Sequence, residues 1–396
     1  MSTPTAVIEG SALRRLTIAA VAAVLAAGCG PRRAPEVAPA PGTPIPVARK
    51  TTDGNLATQN FLAELALARR QHAQHPEDLR RTRALVDHLF MDAQFFGKLA
   101  DYAEADAVSR AAVRRAPADP EAHLLRARAL AAWHEFPGAK AEADRAETLG
   151  GEPTAIEQIR VGVWQATGDL DQALPHLRAW RRARPNLNSY GAEAGALADA
   201  HEFSKAALAF AEAKRRYDDV SPFAVAWLEL QEGHMWESAG RSDLARALFE
   251  SALSRLPAYA PAAGHEARLL AELGAPAELE RARLLLEPLA SQSDDPEYAG
   301  QLGAVYRRIG RDAEGAALIR RARQGYEALV AQHPAAFYDH AARFFLHVGG
   351  DPGRALDYAQ KNLTIRHTPD ARELVGEAER ATVAARLVAP DRQNHP

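Results

Sequence analysis

The sequence predicts an all-α protein, a solenoid of about eight helical hairpins with capping helices at its ends. The main observation is a fixed interval: Ala105, Ala139 and Ala173 lie 34 residues apart, each at the start of the second helix of a predicted hairpin. The second observation is that small residues recur at two positions of every unit. A period in this range is typical of stacked helical repeats, in which each unit buries its apolar face against the next.

Small residues are expected wherever the two helices of a unit, A and B, cross in contact. Counting from residue 86, the eighth and twentieth positions of each unit meet this need, and among them only Arg343 is large. The eighth positions are Ala93, Ala127, Val161, Ala194, Gly233, Ala267, Gly303 and Arg343. The twentieth positions are Ala105, Ala139, Ala173, Ala206, Ala245, Ala282, Gly315 and Ala355.

The other recurring positions agree with this register. The eleventh position of each unit is large and is expected to fill the core: Phe96, Leu130, Trp164, Leu197, Trp236, Leu270, Tyr306 and Leu346. The turn between the helices needs a residue that tolerates positive φ. It is predicted at Ala100, His134, Gly168, His201, Gly240, Gly274, Gly310 and Gly350.

This pattern resembles the tetratricopeptide repeat family over residues 86–369. The resemblance implies a right-handed α-solenoid whose concave groove holds partner proteins or peptides. It also implies that the second, fifth, ninth, twelfth and thirteenth positions of helix A point into this groove. Residues 54–85 are interpreted as N-terminal capping helices, 370–388 as a C-terminal capping helix and 389–396 as a disordered tail.

The start of the chain resembles a bacterial lipoprotein signal. Arg14 and Arg15 precede an apolar run over residues 16–27, which is too short to span a bilayer and is followed by Gly28 and Cys29, the single cysteine. Residues 1–28 are therefore predicted to be a signal peptide and Cys29 the lipidated residue. The alternative is an ordinary signal peptide with an incidental thiol. The proline-rich residues 29–53 are predicted to be a tether.

Composition and motifs exclude several functions. A formal net charge of −3 with 25% charged residues gives no basic stripe for nucleic acid. No serine-nucleophile elbow, phosphate loop or zinc-protease motif is present, so the sequence predicts no enzyme, no cofactor and no small-molecule substrate. His72 and His75 share a helix face, but two imidazoles without a third ligand do not predict a metal site.

The predicted groove changes character along the array. Small or uncharged polar residues at inward positions of the third and fourth units predict a clear channel, formed by Ala155, Gln158, Gly162, Gln165, Ala166, Asn188, Gly191, Gly195 and Ala198. Large anchors follow, and the predicted partner-binding residues are Trp227, Arg307, Arg308, Phe337, His340 and Phe344. The alternative is that the small residues only permit tight packing and the aromatic rings are core.

Together these features predict a non-catalytic protein-binding scaffold that is anchored in the cell envelope by lipid and binds one or more envelope proteins. Gly30 follows the predicted lipidated cysteine, which favours the outer membrane with a periplasmic body over the inner membrane. A second hypothesis is a glycan or peptidoglycan binder, in which Trp227, Phe337 and Phe344 stack on sugar rings.

Overall fold

The computed structural model describes residues 50–388, and within this range it contains eighteen α-helices and no strand. The helices are α1 Gly54–Gln74, α2 Leu79–Phe96, α3 Leu99–Arg115, α4 Pro120–Ala132, α5 Phe136–Thr148, α6 Pro153–Thr167, α7 Leu170–Ala183, α8 Leu187–Asp199, α9 Phe203–Arg215, α10 Pro222–Ser238, α11 Ser242–Arg255, α12 Ala260–Leu273, α13 Pro276–Gln292, α14 Pro296–Arg308, α15 Asp312–Gln332, α16 Pro334–His347, α17 Pro352–Leu363 and α18 Pro369–Val388. The all-α prediction is confirmed. The predicted signal peptide, most of the tether and the tail lie outside the described residues.

Consecutive helices form eight hairpins, from α2–α3 to α16–α17, and each hairpin packs on the next. Helix α1 precedes the first hairpin and α18 follows the last. The predicted start of the array, residue 86, falls inside α2. The hairpins therefore stack into an α-solenoid, as the repeat period predicts.

Local sequence sets the helix ends. Asp119 and Asp295 accept hydrogen bonds from the first-turn amides of α4 and α14, and a proline follows each of them at the first helical position. The turns inside the hairpins have positive φ at seven of the eight predicted positions, including the non-glycine residues His134 (φ 55°) and His201 (φ 58°). The prediction at Ala100 is wrong: α2 ends earlier, at Gly97 (φ 64°), and Ala100 already lies inside α3.

The predicted helix crossings are confirmed. Ala105, Ala139 and Ala173 are fully buried, and at the seventh hairpin a Cβ on Gly315 would stand 2.7 Å from the Gly303 carbonyl oxygen. The misfit at Arg343 is resolved by its neighbours, because the adjacent Ala341 and Ala342 are fully buried. A small residue therefore lies at this crossing too, shifted in register. The other fully buried residues at the predicted crossings are Ala127, Ala194, Ala206, Ala245, Ala267, Ala282 and Ala355.

The superhelix is wound so tightly that its N-terminal half (α1–α9) contacts its C-terminal half (α10–α18). Aromatic rings join the two halves in the largest core cluster: Phe61 of α1 lies 5.7 Å from Phe223 of α10, and Phe95 of α2 lies 4.8 Å from Tyr259, beside α12. Much of the inner surface is therefore core, whereas an open solenoid would expose it as a groove.

Polar contacts continue this closure along the chain. The Asp294 carboxylate accepts hydrogen bonds from the amides of Leu99 (2.6 Å) and Ala100 (2.8 Å), and so caps α3 from 194–195 residues away. One hairpin later, the Trp133 ring stacks on His333 with centroids 3.7 Å apart. We call these the coil-to-coil contacts, and each joins residues that lie 194–200 positions apart in the chain.

Further coil-to-coil contacts lie at the end of α6. Arg366, between α17 and α18, donates to the Ala166 carbonyl at 3.1 Å and pairs with Asp339 at 3.0 Å. The amide of His367 donates to the Thr167 carbonyl at 2.8 Å. The C-terminal carbonyls of α6 are thus satisfied by the segment that leads into α18.

Candidate functional site

The third hairpin, α6–α7, borders a cleft of about 380 Å³. Side chains from α2, α4, α5, α6, α7 and α8 line it, and its lining is mostly apolar. The apolar wall is formed by Leu124, Leu125, Phe136, Ile159, Val161, Leu177 and Trp180. A cleft of this size is large enough for a side chain or a short stretch of peptide.

The cleft lies at inward positions of the second and third units. Gln158, Gly162 and Gln165 are the fifth, ninth and twelfth positions of the third unit, and Leu124 and Arg128 hold the fifth and ninth positions of the second. Part of the predicted channel is therefore an open cleft in the structure. Local sequence explains the space, because small residues on α6 leave room between it and α4.

The small residues of the fourth unit behave differently. A Cβ on Gly191 would stand 2.9 Å from Leu228 Cδ1 and 3.5 Å from the Trp227 ring. The same packing recurs at two other glycines: Tyr298 occupies the space beside Gly264, and Phe344 occupies the space beside Gly300. At these positions the missing side chain admits a residue from helix A of the next unit, which is the packing alternative considered above.

Charged groups at one end of the cleft neutralise each other. Arg83 lies 3.4 Å from Glu121, and Arg128 lies 2.7 Å from Asp87 on α2. Burial raises the pKa of Glu121, although Arg83 and Arg128 oppose this shift. The cleft therefore offers no uncompensated cationic cluster for a phosphate.

Two glutamines provide polar groups in the middle of the cleft. Gln165 Nε2 donates to Asp199 at 2.7 Å, and burial raises the pKa of that carboxyl to about 6. The Oε1 atom of Gln158 is shielded from solvent and accepts no hydrogen bond within residues 50–388. A buried acceptor without a donor is uncommon, and a turn of the Gln158 side chain, which lines the cleft, would present this oxygen to an N–H group of a ligand.

Helix α7 forms the other wall and is only lightly packed. It buries two side chains, Ala173 and Leu177, and contains Pro175, which interrupts its backbone hydrogen bonds. His176 on this helix pairs with Glu157 at 2.7 Å and lies 5.2 Å from the Trp164 ring. The cleft thus has one wall fixed by ion pairs and one that can adjust.

The predicted aromatic anchors are buried. Trp227 is 7% exposed, Phe337 is 3% exposed against Trp133, and Phe344 is 6% exposed against Tyr326. In this arrangement the rings fill the core. Their role in partner binding stays a prediction, and it requires the superhelix to open.

The predicted polar anchors have different surroundings. Arg307 and Arg308 are exposed, and Arg308 donates to the Ala271 carbonyl near the end of α12. His340 lies between Glu297 (3.8 Å) and Asp339 (3.9 Å). Burial alone would lower the pKa of His340, but these two carboxylates raise it to about 9.

Several cleft residues were not identified from the sequence. Arg83 precedes the predicted start of the array, and His176, Trp180 and Arg184 lie on helix B, outside the inward positions of helix A. Arg128 could have been identified from the sequence, because it holds the ninth, inward position of the second unit. Loose packing of α7 is a tertiary property that the repeat register does not contain.

Within the described range, no three histidine, cysteine or acidic side chains are grouped so that they could hold a metal ion. His72 instead lies 3.2 Å from the Thr82 hydroxyl. None of the helices in residues 50–388 is long and apolar enough to span a bilayer.

No protein-family model matches the sequence, and no curated protein matches it. Several solved structures are similar. A chain of the APC/C Cut9–Hcn1 hetero-tetramer is 15% identical, with a TM-score of 0.38. The match covers 80% of this chain but only 52% of that one. A tetratricopeptide repeat protein from Parabacteroides merdae is 15% identical, with a TM-score of 0.38 and coverage of 70% and 98%. Human IFIT1, in a dimer with m7Gppp-AAAA, is 15% identical, with a TM-score of 0.38 and coverage of 80% and 74%. No ligand or partner of this chain follows from such distant likenesses.

Proposed function

We propose that this protein is a non-catalytic scaffold that holds an extended segment of a partner protein in the cleft between α4, α6 and α7. The observation that carries the proposal is the contrast at inward positions. Gly191, Gly264 and Gly300 are filled by the next unit, whereas Gln158 and Gly162 border open space.

The chemistry of the cleft suits a peptide. Its apolar wall can accept a hydrophobic side chain, and the Gln158 carbonyl can accept a backbone N–H. Two of its arginines, Arg83 and Arg128, are already paired with carboxylates, which a nucleic-acid phosphate would have to displace. A neutral, extended segment with at least one apolar side chain is the ligand that satisfies these groups.

The glycan hypothesis has less support. Stacking on a sugar needs an exposed ring face, and Trp227, Phe337 and Phe344 are buried. Trp180 in the cleft is only half-buried, but a single ring beside an apolar wall suits a peptide equally well.

We further propose that the scaffold belongs to the cell envelope and is anchored through Cys29, with the outer membrane and its periplasmic face as the preferred site. The support is the sequence before this cysteine, Leu25-Ala26-Ala27-Gly28, and the proline-rich tether after it. Cys29→Ser should release the protein from membranes and abolish incorporation of radiolabelled palmitate. Label that persists in the variant would contradict this part of the proposal.

Site-specific photo-cross-linking tests the cleft. A photo-reactive amino acid at Gln158 should give a discrete cross-linked partner in envelope extract, whereas the same amino acid at the exposed Gln172 on α7 should not. Gly162→Phe, which fills the cleft, should abolish the adduct at 158. Equal cross-linking from both positions, or an adduct that survives Gly162→Phe, would show that the cleft is not the binding site.

A further inference from the structure

Helix α1 is apolar on two opposite faces. Its inner face packs on the core through Ala57, Phe61 and Leu65. On the opposite side Leu56, Leu62 and Leu67 are 49%, 47% and 45% exposed, although leucine is usually buried. A surface helix of a soluble domain normally has a polar face here, so this pattern indicates a second contact surface.

From residue 55 to residue 67 the one charged side chain of α1 is Glu64, which lies at the edge of the exposed side, 3.6 Å from His88. We call the exposed side the α1 outer face, and it consists of Asn55, Leu56, Gln59, Asn60, Leu62, Ala63, Ala66 and Leu67. The cap at the other end of the solenoid differs in charge. Helix α18 exposes Val383 and Leu387 near its end, but its outer side also carries exposed charged residues, which are Arg372, Glu373, Glu379 and Arg380. A terminal helix of a repeat array needs a polar outer face for solubility, and only α18 has one that is charged.

We propose that the α1 outer face lies on the surface of the bilayer that holds the Cys29 anchor, a proposal that rests on the anchoring proposed above. Residue 50, where the described chain begins, follows Cys29 by 21 residues, a span of at most about 70 Å when extended. The anchor therefore keeps α1 at high local concentration near lipid, where a modest apolar face is sufficient for contact.

The charges at the margins of this face fit the same occupant. Lys50 and Arg70 are exposed and bracket the α1 outer face along the chain, and the acidic Asp53 between them caps the helix. Basic side chains at the edges of the face can meet anionic headgroups. Leucines between them would enter the boundary between headgroups and acyl chains.

A second copy of the chain fits less well. A face one helix wide that runs from residue 55 to residue 67, roughly 20 Å, is too small to supply the ~1,200 Å² or more that a stable dimer buries. Pairing of α1 with α18 would place uncharged leucines against charged side chains.

Lipid-resident quenching tests the proposal on the full-length, acylated protein. Cys29 is the only cysteine, so once it is acylated a Gln59→Cys substitution gives a unique site for an environment-sensitive fluorophore. Arg380→Cys on α18 is the matched control. In phosphatidylethanolamine–phosphatidylglycerol vesicles with spin-labelled lipid, emission at 59 should fall about twofold or more, and emission at 380 should change little.

Adding Leu62→Gln and Leu67→Gln to the Gln59→Cys protein should reduce quenching to the control level. Equal quenching at 59 and 380 in protein shown by mass spectrometry to be acylated would overturn the α1 proposal alone. An emission change that needs no lipid and grows with protein concentration would overturn it in favour of a second copy. Absence of an acyl group on Cys29 would instead refute the anchor, and the α1 proposal with it.

Discussion

The third and fifth hairpins follow the same repeat pattern, but they differ in how much they bury. Helix α10 of the fifth hairpin buries fourteen residues, including Trp227 and Trp236, whereas α6 buries four and α7 only two. The fifth hairpin also encloses an ion pair between Lys214 of α9 and Glu232 of α10. The comparison shows that one repeat architecture can place stability in some units and an accessible cleft in another.

The cause lies at the inward positions of helix A. The fifth hairpin has Trp227 and Leu230 there, which fill the interior, and the third has Gln158 and Gly162, which do not. Closure of the superhelix also brings Phe61 of α1 against Phe223 of α10, in the core cluster that contains Trp227 and Leu230. A partner is therefore expected at the third hairpin, where the interior is still reachable.

The largest effect should come from breaking a helix crossing. Ala245→Arg places a long cation at a fully buried site in the fifth hairpin and should destabilise the protein by more than about 4 kcal/mol. Ala173→Arg makes the same change in the thinly packed third hairpin and should cost less, because α7 can detach locally. Chemical unfolding followed by circular dichroism measures both. Equal losses would contradict the difference between the two hairpins.

Replacing aromatic residues with alanine should distinguish those that stabilise the core from those that line the cleft. Phe344→Ala removes a ring packed on Tyr326 and Gly300 and should cost about 3–4 kcal/mol. Trp180→Ala in the half-open cleft should cost about 1 kcal/mol and instead weaken partner binding. Thermal melts run beside the cross-linking assay distinguish these outcomes. A stable Phe344→Ala variant that no longer binds would restore this ring as a binding anchor.

Glycine substitutions sharpen the comparison further. Gly191→Leu collides with Leu228 and should destabilise the protein by about 2 kcal/mol. Gly162→Leu extends into the cleft and should change stability by less than about 1 kcal/mol while blocking the ligand. If both variants melted alike, the cleft at Gly162 would have to be closed in solution.

The smallest effect is a dependence on pH, expected in the C-terminal half. The pKa of His340 is about 9 and so lies above its ordinary value, which means its stabilising contribution is complete below pH ~6.5 and is lost as pH rises through about 9. Asp295, whose pKa burial raises to about 7, acts in the same direction. Together these two groups should lower the stability by about 1–3 kcal/mol from pH 6 to pH 9, against the opposite trend of the buried histidines whose pKa is lowered, such as His134, His234 and His265.

His340→Gln should flatten this fall and lower the melting temperature at pH 6. The measurement is a series of thermal melts at constant ionic strength. A variant with the same slope as the parent would show that His340 does not gain its proton on folding.

Sequence reasoning predicted the helical class, most of the hairpin turns and the crossings, because these depend on residues close in the chain. His134 and Gly168 illustrate this, since each turn needs positive φ within its own unit. It failed at Ala100, where α2 ends at Gly97 and the carboxylate of Asp294, nearly 200 residues away, caps the next helix. The cleft was foreseen at Gln158 and Gly162, but the burial of Phe337 depends on Trp133 in another coil, which no local pattern records.

The coil-to-coil contacts give the solenoid the mechanics of a spring whose neighbouring coils touch. In an open repeat array, tension applied at the ends is carried from each unit to its neighbour alone. Here extension must first separate Asp294 from Leu99, Trp133 from His333 and Arg366 from Ala166. When the chain is pulled from its ends, the coil-to-coil contacts should therefore break first, while the hairpins stay folded. Single hairpins should then unfold one after another.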